Sequence, residues 1–144
     1  MNSKELFVRD TTVIKKSDNL FTAEVSDNWS IGNTANGGYS MTLAAKAMSE
    51  FLEHKDPLSI SAHYLDRVDF GATELHVTHL SSSKSLSTAR VELIQNNKIK
   101  IIFIGTFTDF SFKNDLNIYE RDVPSFPDYE SCEVIPYKEG FNPK

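Results

Sequence analysis

The spacing of apolar residues changes along this chain, and each change marks an element. In Leu20-Phe21-Thr22-Ala23-Glu24-Val25-Ser26 the apolar Phe21, Ala23 and Val25 alternate with Thr22, Glu24 and Ser26, the two-residue period of a half-buried strand. Beyond Gly38 the period turns helical. Met41, Ala44, Ala45, Met48 and Leu52 fall at i, i+3, i+4, i+7 and i+11 and form one stripe, with Lys46, Ser49, Glu50 and Glu53 mostly off it. Small residues at Ala44, Ala45 and Ala47 allow a sheet to approach the helix closely, and Met41 and Met48 are assigned to packing.

Proline at Pro57 disfavours helical geometry in the residue before it, so His54-Lys55-Asp56-Pro57 ends the helix. Strands follow. Leu58, Ile60, Ala62 and Tyr64 alternate with Ser59, Ser61 and His63, and after a turn at Gly71, Leu75 and Val77 alternate with Glu74, His76 and Thr78. Residues Leu86 to Ile94 place Ala89, Val91 and Leu93 on one face. Asn96-Asn97 then supplies a hairpin turn, because asparagine tolerates the left-handed backbone that tight hairpins need. The partner strand, Ile99 to Thr108, is apolar on both faces through Ile101, Ile102, Phe103 and Ile104, as a central strand covered on both sides would be. Residues 1 to 19 are a mixed segment ending in the turn-rich Lys15-Lys16-Ser17-Asp18-Asn19. From Phe110 onward, prolines at Pro124, Pro127, Pro136 and Pro143 punctuate a stretch without periodicity.

A chain of 144 residues is the size of one domain, expected here over residues 1–112, with 113–144 a proline-containing tail or linker. With 40% hydrophobic and 24% charged residues, and no apolar run near the roughly 18 residues of a membrane helix, no membrane span is expected. The N-terminus carries no apolar signal core, which predicts a cytoplasmic location. A net charge of -5, with no basic block larger than Lys15-Lys16, argues against nucleic acid. The single Cys132 excludes an internal disulfide and has no clustered base to activate it. His76 and His79 do not share a strand face, so neither a metal nor a cofactor is expected.

The candidate chemistry sits where strand gives way to helix. Asn33-Thr34-Ala35-Asn36-Gly37-Gly38-Tyr39 is a polar, glycine-rich turn leading into the helix, whose first N–H groups have no intrahelical partner and carry partial positive charge. A thioester or carboxylate oxygen suits such a place. The same residues also make an ordinary helix cap, and the glycines serve equally to admit a ligand or to allow tight helix-to-sheet packing. Gly37, Gly38 and Tyr39 are therefore candidates for substrate binding through their N–H groups, and Asn36 and Asp27 for the catalytic roles. His63, Ser85 and Ser87 complete the binding candidates, and Lys84, Arg67 and Arg90 are cations that could meet a phosphate.

Taken together, Trp29-Ser30-Ile31-Gly32, Asn36-Gly37-Gly38-Tyr39, Pro57 to Leu65, and Ser83 to Val91 with Gln95 resemble the N-terminal half of acyl-CoA thioesterase-like proteins of the double-hotdog type. The resemblance covers about residues 20 to 110, and Ser131-Cys132-Glu133-Val134-Ile135-Pro136 is similar to the connection into a second hotdog. It implies an α+β hotdog fold, an antiparallel sheet wrapped around one long helix. It also implies an acyl-CoA or other acyl thioester as ligand, and a homodimer or higher homo-oligomer, or a partner hotdog, to complete the interface. In such relatives a carboxylate near a helix start, a hydroxyl residue and a glutamine act from the C-terminal hotdog. At the matching places this chain offers Asn36, the hydroxyls Ser85, Ser87 and Thr88, and Thr106 and Thr108, without the carboxylate and the glutamine. Asparagine cannot take a proton at neutral pH, whereas general-base catalysis contributes roughly 10²- to 10⁴-fold. Two functions therefore stand: thioester hydrolysis or binding at a hotdog-hotdog interface, and a non-catalytic acyl-binding or dimerisation module. A hotdog dehydratase ranks behind both, since no histidine lies between Trp29 and Phe51.

Overall fold

The computed structural model describes residues 2–112 and 120–133. Its frame is a six-stranded antiparallel sheet built from β1 (Ile14–Lys15), β2 (Leu20–Val25), β5 (Asp56–Tyr64), β6 (Gly71–Ser82), β7 (Ser87–Gln95) and β8 (Lys98–Thr108). The strands lie in the order β1-β2-β6-β7-β8-β5. The long helix α2, Gly37–Phe51, packs across β2, β5, β6, β7 and β8. This is a hotdog fold. A small hairpin of β3 (Ser30–Ile31) and β4 (Thr34–Ala35) carries the loop into α2, and Gly32, at φ 62°, supplies its left-handed turn residue.

Strand alternation follows the sequence pattern. Phe21, Ala23 and Val25 on β2, Leu75 and Val77 on β6, Ala89, Val91 and Leu93 on β7, and Ile101, Phe103 and Phe107 on β8 are buried against α2. On the opposite face of β8, Ile102 is half-buried and Ile104 exposed. Asn96 and Asn97 both have positive φ, 52° and 59°, in the tight β7–β8 hairpin.

Three features differ from the expectation. Residues 3–10 form a helix, α1 (Ser3–Asp10), opened by a capping box in which the Asn2 side chain accepts from the Glu5 N–H and the Glu5 carboxylate accepts from the Asn2 N–H. The buried side of α2 is wider than one stripe. Tyr39, Ser40, Leu43 and Ala47 join Ala44 and Met48, while Met41 and Ala45 are only half-buried, because a curving sheet wraps a broad arc of the helix. On β5 the expected apolar face is only partly covered. Ile60 and Ala62 pack on the core, but Leu58 and Tyr64 are 57% and 55% exposed, since β5 is the last strand of the sheet. Beyond Thr108 the described residues hold only a short 3-10 turn, Tyr129–Ser131, and the connection expected at 131–136 lies outside them from residue 134. None of the described helices is long and apolar enough to cross a membrane.

At the hairpin end of the sheet an ion-pair cluster joins the β5–β6 crossover to β8. Asp66 meets Lys98 at 2.8 Å and the nearly buried Lys100 at 3.2 Å, and accepts the Arg67 N–H. The bond from Lys98, then those from Arg67 and Lys100, hold its carboxyl well below the usual carboxylate range. A depressed folded value means that the unfolded chain takes up the proton first. This contribution is therefore complete above the ordinary value of 3.8 and is lost as pH falls below it. Asp66→Asn is expected to be less stable than the parent at pH 7, with the gap closing below that value. Urea unfolding at pH 7, 4 and 3 checks this, and a gap independent of pH would contradict it.

Candidate functional site

The helix start is held from three directions. The Asn36 N–H donates to the Trp29 carbonyl at 2.8 Å, and the Ala35 N–H and Thr34 hydroxyl donate to the Val68 carbonyl at 3.1 and 2.9 Å. Inside the turn, Asn36 Oδ1 accepts from the Gly38 N–H at 2.8 Å and, more weakly, from the Tyr39 N–H at 3.4 Å. Asn36 thus caps α2 itself, engaging two of the three N–H groups considered for a ligand. Among the described residues nothing accepts from the Gly37 N–H.

Each glycine has an internal reason. A Cβ on Gly38 would sit 3.2 Å from the capping Asn36 Oδ1, and one on Gly37 would lie 2.9 Å from the hydroxyl of Tyr64 and 3.0 Å from its ring. Tyr64, from the end of β5, therefore lies directly over Gly37. Its hydroxyl brings a polar group to where a Gly37 side chain would begin, at a position whose sequence pattern marks only an apolar strand residue. At the neighbouring Asn36 and Gly38 a cleft of about 350 Å³ opens, lined also by Phe7, Trp29, Tyr39 and Thr42 but not by Gly37 or Tyr64.

Tyr39 points inward. Its buried hydroxyl donates to the Asp10 carbonyl at 2.7 Å and accepts from the Ser26 N–H at 3.0 Å. Burial pushes the phenol pKa up, with the charges of Asp10 and Glu24 adding to it against the Ser26 N–H, so the ring stays neutral. Any contact of this residue with a ligand near the helix start falls to its backbone.

The remaining candidates are dispersed. Asp27 lies in the 3-10 turn Asp27–Trp29, is exposed, and lines a different groove of about 750 Å³ with Arg9, Glu24 and Phe70. The structure does not bring it into the cleft of Asn36. His63 is exposed on β5, opposite Ile102, on the sheet face away from α2. Ser85 is exposed in the β6–β7 loop, where its carbonyl accepts from the Thr108 hydroxyl. Ser87 is fully buried and meets His54 Nδ1 at 2.6 Å, just past the C-terminus of α2. A helix of 15 residues spans roughly 22 Å, so Ser87 stands at the far end of α2 from Asn36.

His54 itself has a legible tautomer. Its Nε2–H faces the Lys84 carbonyl at 3.3 Å, leaving Nδ1 to accept from Ser87. Removing that donor strands a buried acceptor, which costs about 1–3 kcal/mol. Ser87→Ala is expected to lose stability by that amount in urea unfolding; an unchanged midpoint would contradict the pairing.

Gln95, at the helix-start end of β7, is 5% exposed and fully engaged: its Oε1 accepts the Asp69 N–H, and its Nε2 donates to the Asp69 carbonyl. It pins the crossover loop and has no free amide for a ligand. No group of three or more metal-ligating side chains is assembled among the described residues.

A family model described as the acyl-CoA thioesterase N-terminal domain matches residues 25–109. No curated protein matches the chain. Among solved structures, a Thermobifida fusca protein with a provisional thioesterase II name superimposes with a TM-score of 0.80 at 22% identity, over 94% of this chain and 51% of that one. A tesB protein of Mycobacterium avium subs paratuberculosis gives 0.75 at 20% identity, over 90% and 50%. A mutant of the phenylacetic acid degradation protein PaaI from Thermus thermophilus gives 0.59 at 24% identity, over 69% and 92%. At these identities the superpositions speak for the fold. The chain spans about half the length of the first two structures.

Proposed function

The chain belongs to the acyl-CoA thioesterase N-terminal domain family, and on that premise we propose that it receives an acyl thioester at the start of α2 and completes its site with a second hotdog along β5. One observation carries the reading. The Gly37 N–H, which has no acceptor among the described residues, opens a 15-residue helix at its positive end, and the Tyr64 hydroxyl stands over the same glycine at the unpaired edge of the sheet. Two donors at such a place suit a thioester carbonyl, whose oxygen gains negative charge when water attacks.

The second hotdog, a copy of this chain or another chain, would cover the exposed Leu58, Tyr64 and Leu65 and satisfy the open strand edge. In this reading Asn36 sets the geometry of the turn and holds no proton for transfer. Asp27 and the far-end Ser85 could reach a ligand only from across an interface, while the fully buried Ser87 is held by His54 and takes no part.

A second reading is favoured by the buried Asp10. Its carboxylate oxygens are taken by side-chain donors and it is in no position to activate water, so the half binds the acyl group while hydrolysis depends on another hotdog. Thiol release from short-, medium- and long-chain acyl-CoAs decides between them, using Cys132→Ser so that the exposed thiol does not consume the reagent. Turnover supports hydrolysis by the self-associated chain. Saturable binding without turnover selects the acyl-binding half.

A further inference from the structure

The geometry points to Asp10 as a positioning residue for the helix-start site: a buried residue at the end of α1 whose carboxylate acts through Asn28 and Trp29, and whose backbone carbonyl acts through Tyr39, on the Asn36 cap. The inference rests on the reading of that helix start as the acyl-thioester site. It concerns a residue outside the segment 25–109 that the family model matches.

Asp10 is an unfavourable residue where it stands. It is 8% exposed and closes the C-terminal end of a helix, where the peptide dipoles repel an anion. The surroundings compensate. Oδ1 accepts from Arg9 Nε at 2.7 Å, and Oδ2 accepts from Asn28 Nδ2 at 2.8 Å and from the indole N–H of Trp29 at 3.1 Å. Burial alone would raise its pKa, but the hydrogen bonds from Asn28, Arg9, Ser26 and Trp29 outweigh it and keep the group ionised. Both oxygens face donors, so an amide in its place would set an N–H₂ against another N–H.

The partners it holds are the walls of the site. The Trp29 carbonyl takes the Asn36 N–H, and the indole is wedged between Phe7, edge-on at 4.9 Å, and Tyr39, stacked at 6.3 Å. The Asp10 carbonyl takes the Tyr39 hydroxyl, the third residue after the cap. One residue thereby fixes the turn before Asn36 and the first turn of the helix after it. A residue needed only to keep α1 attached would touch one of these and not both.

Amide hydrogen exchange of Asp10→Asn separates the two roles. The expected result is exchange about tenfold faster at Gly38 and Tyr39, with Val91 and Phe103 in the central strands unchanged, and a comparable fold loss in affinity for a non-hydrolysable octanoyl-CoA thioether, in which a methylene inserted between carbonyl and sulfur keeps the carbonyl oxygen. Asn28→Ala, which deletes one donor to Asp10 and leaves the aromatic stack in place, gives the same pattern at smaller amplitude and serves if Asp10→Asn does not fold. Unchanged exchange at Gly38 and Tyr39, or acceleration equal to that of Val91 and Phe103, overturns the inference. Failure of the parent chain to bind the thioether would instead overturn the reading of the site, while the exchange pattern still decides the clamp.

Discussion

Gly37→Val is expected to weaken acyl-thioester binding by about tenfold or more while barely moving the unfolding midpoint. The backbone tolerates a side chain here, since Gly37 is the first residue of α2 and is not among the glycines with positive φ. The obstruction is Tyr64. A Cβ at Gly37 would lie 2.9 Å from its hydroxyl and 3.1 Å from Cζ, and these atoms are the tip of a side chain that is more than half exposed. The ring can swing away at small cost to the fold, but only by leaving the position in which its hydroxyl stands over Gly37. Valine also covers the Gly37 N–H with a branched side chain. Titration with the octanoyl-CoA thioether, paired with urea unfolding, reads both halves of the expectation. An unchanged affinity would remove the Gly37 and Tyr64 pair from the site.

A large effect on stability is expected inside the sheet, at Gly105. It pairs with Ala89 on β7 and Ile60 on β5 and faces α2, and a Cβ there would lie 2.5 Å from Met48 Sδ and 3.1 Å from the Phe107 ring. Met48 and Phe107 are both fully buried, so neither can step into solvent. Overpacking of this kind costs about 1–3 kcal/mol, and Gly105→Val should exceed Gly105→Ala. The cause is testable by coupling. In a Met48→Ala background the space opens, and Gly105→Ala should then cost little or even offset part of the cavity. Additive losses in the double variant would mean that helix-to-sheet contact at this point is not what the glycine serves.

Much of this fold was legible as periodicity. The strands around Phe21, Val77 and Val91 alternate cleanly because one face meets α2, whereas the Phe103 strand is apolar on both faces and its outer face is only partly covered, with Ile104 exposed; Asn96-Asn97 announces its hairpin through residues suited to positive φ. The stripe on α2 is narrower than its buried face, since a single line of i, i+3, i+4 positions assumes one flat neighbour and the curved sheet also buries Leu43 and Ala47. The helix α1 carried a signal, Asn2 followed three residues later by Glu5, but eight residues are too few to display an apolar period.

The candidate site was legible only in its local part. Asn36-Gly37-Gly38 can be found from composition, because cap and turn chemistry is written in adjacent residues. Tyr64 and Asp10 come to the same place from 27 residues downstream of Gly37 and 26 upstream of Asn36, through tertiary contacts that no spacing rule encodes. Ser87 errs in the other direction. Its strand was placed correctly, but which end of α2 it meets depends on the direction of β7, and that direction puts it with His54.

The central claim is that the start of α2 receives an acyl thioester. Calorimetric titration of the purified chain with the octanoyl-CoA thioether, alongside Gly37→Val, tests it most directly. Saturable binding by the parent that falls about tenfold or more in the variant is expected. Equal binding by both proteins, or none by the folded parent, would contradict it.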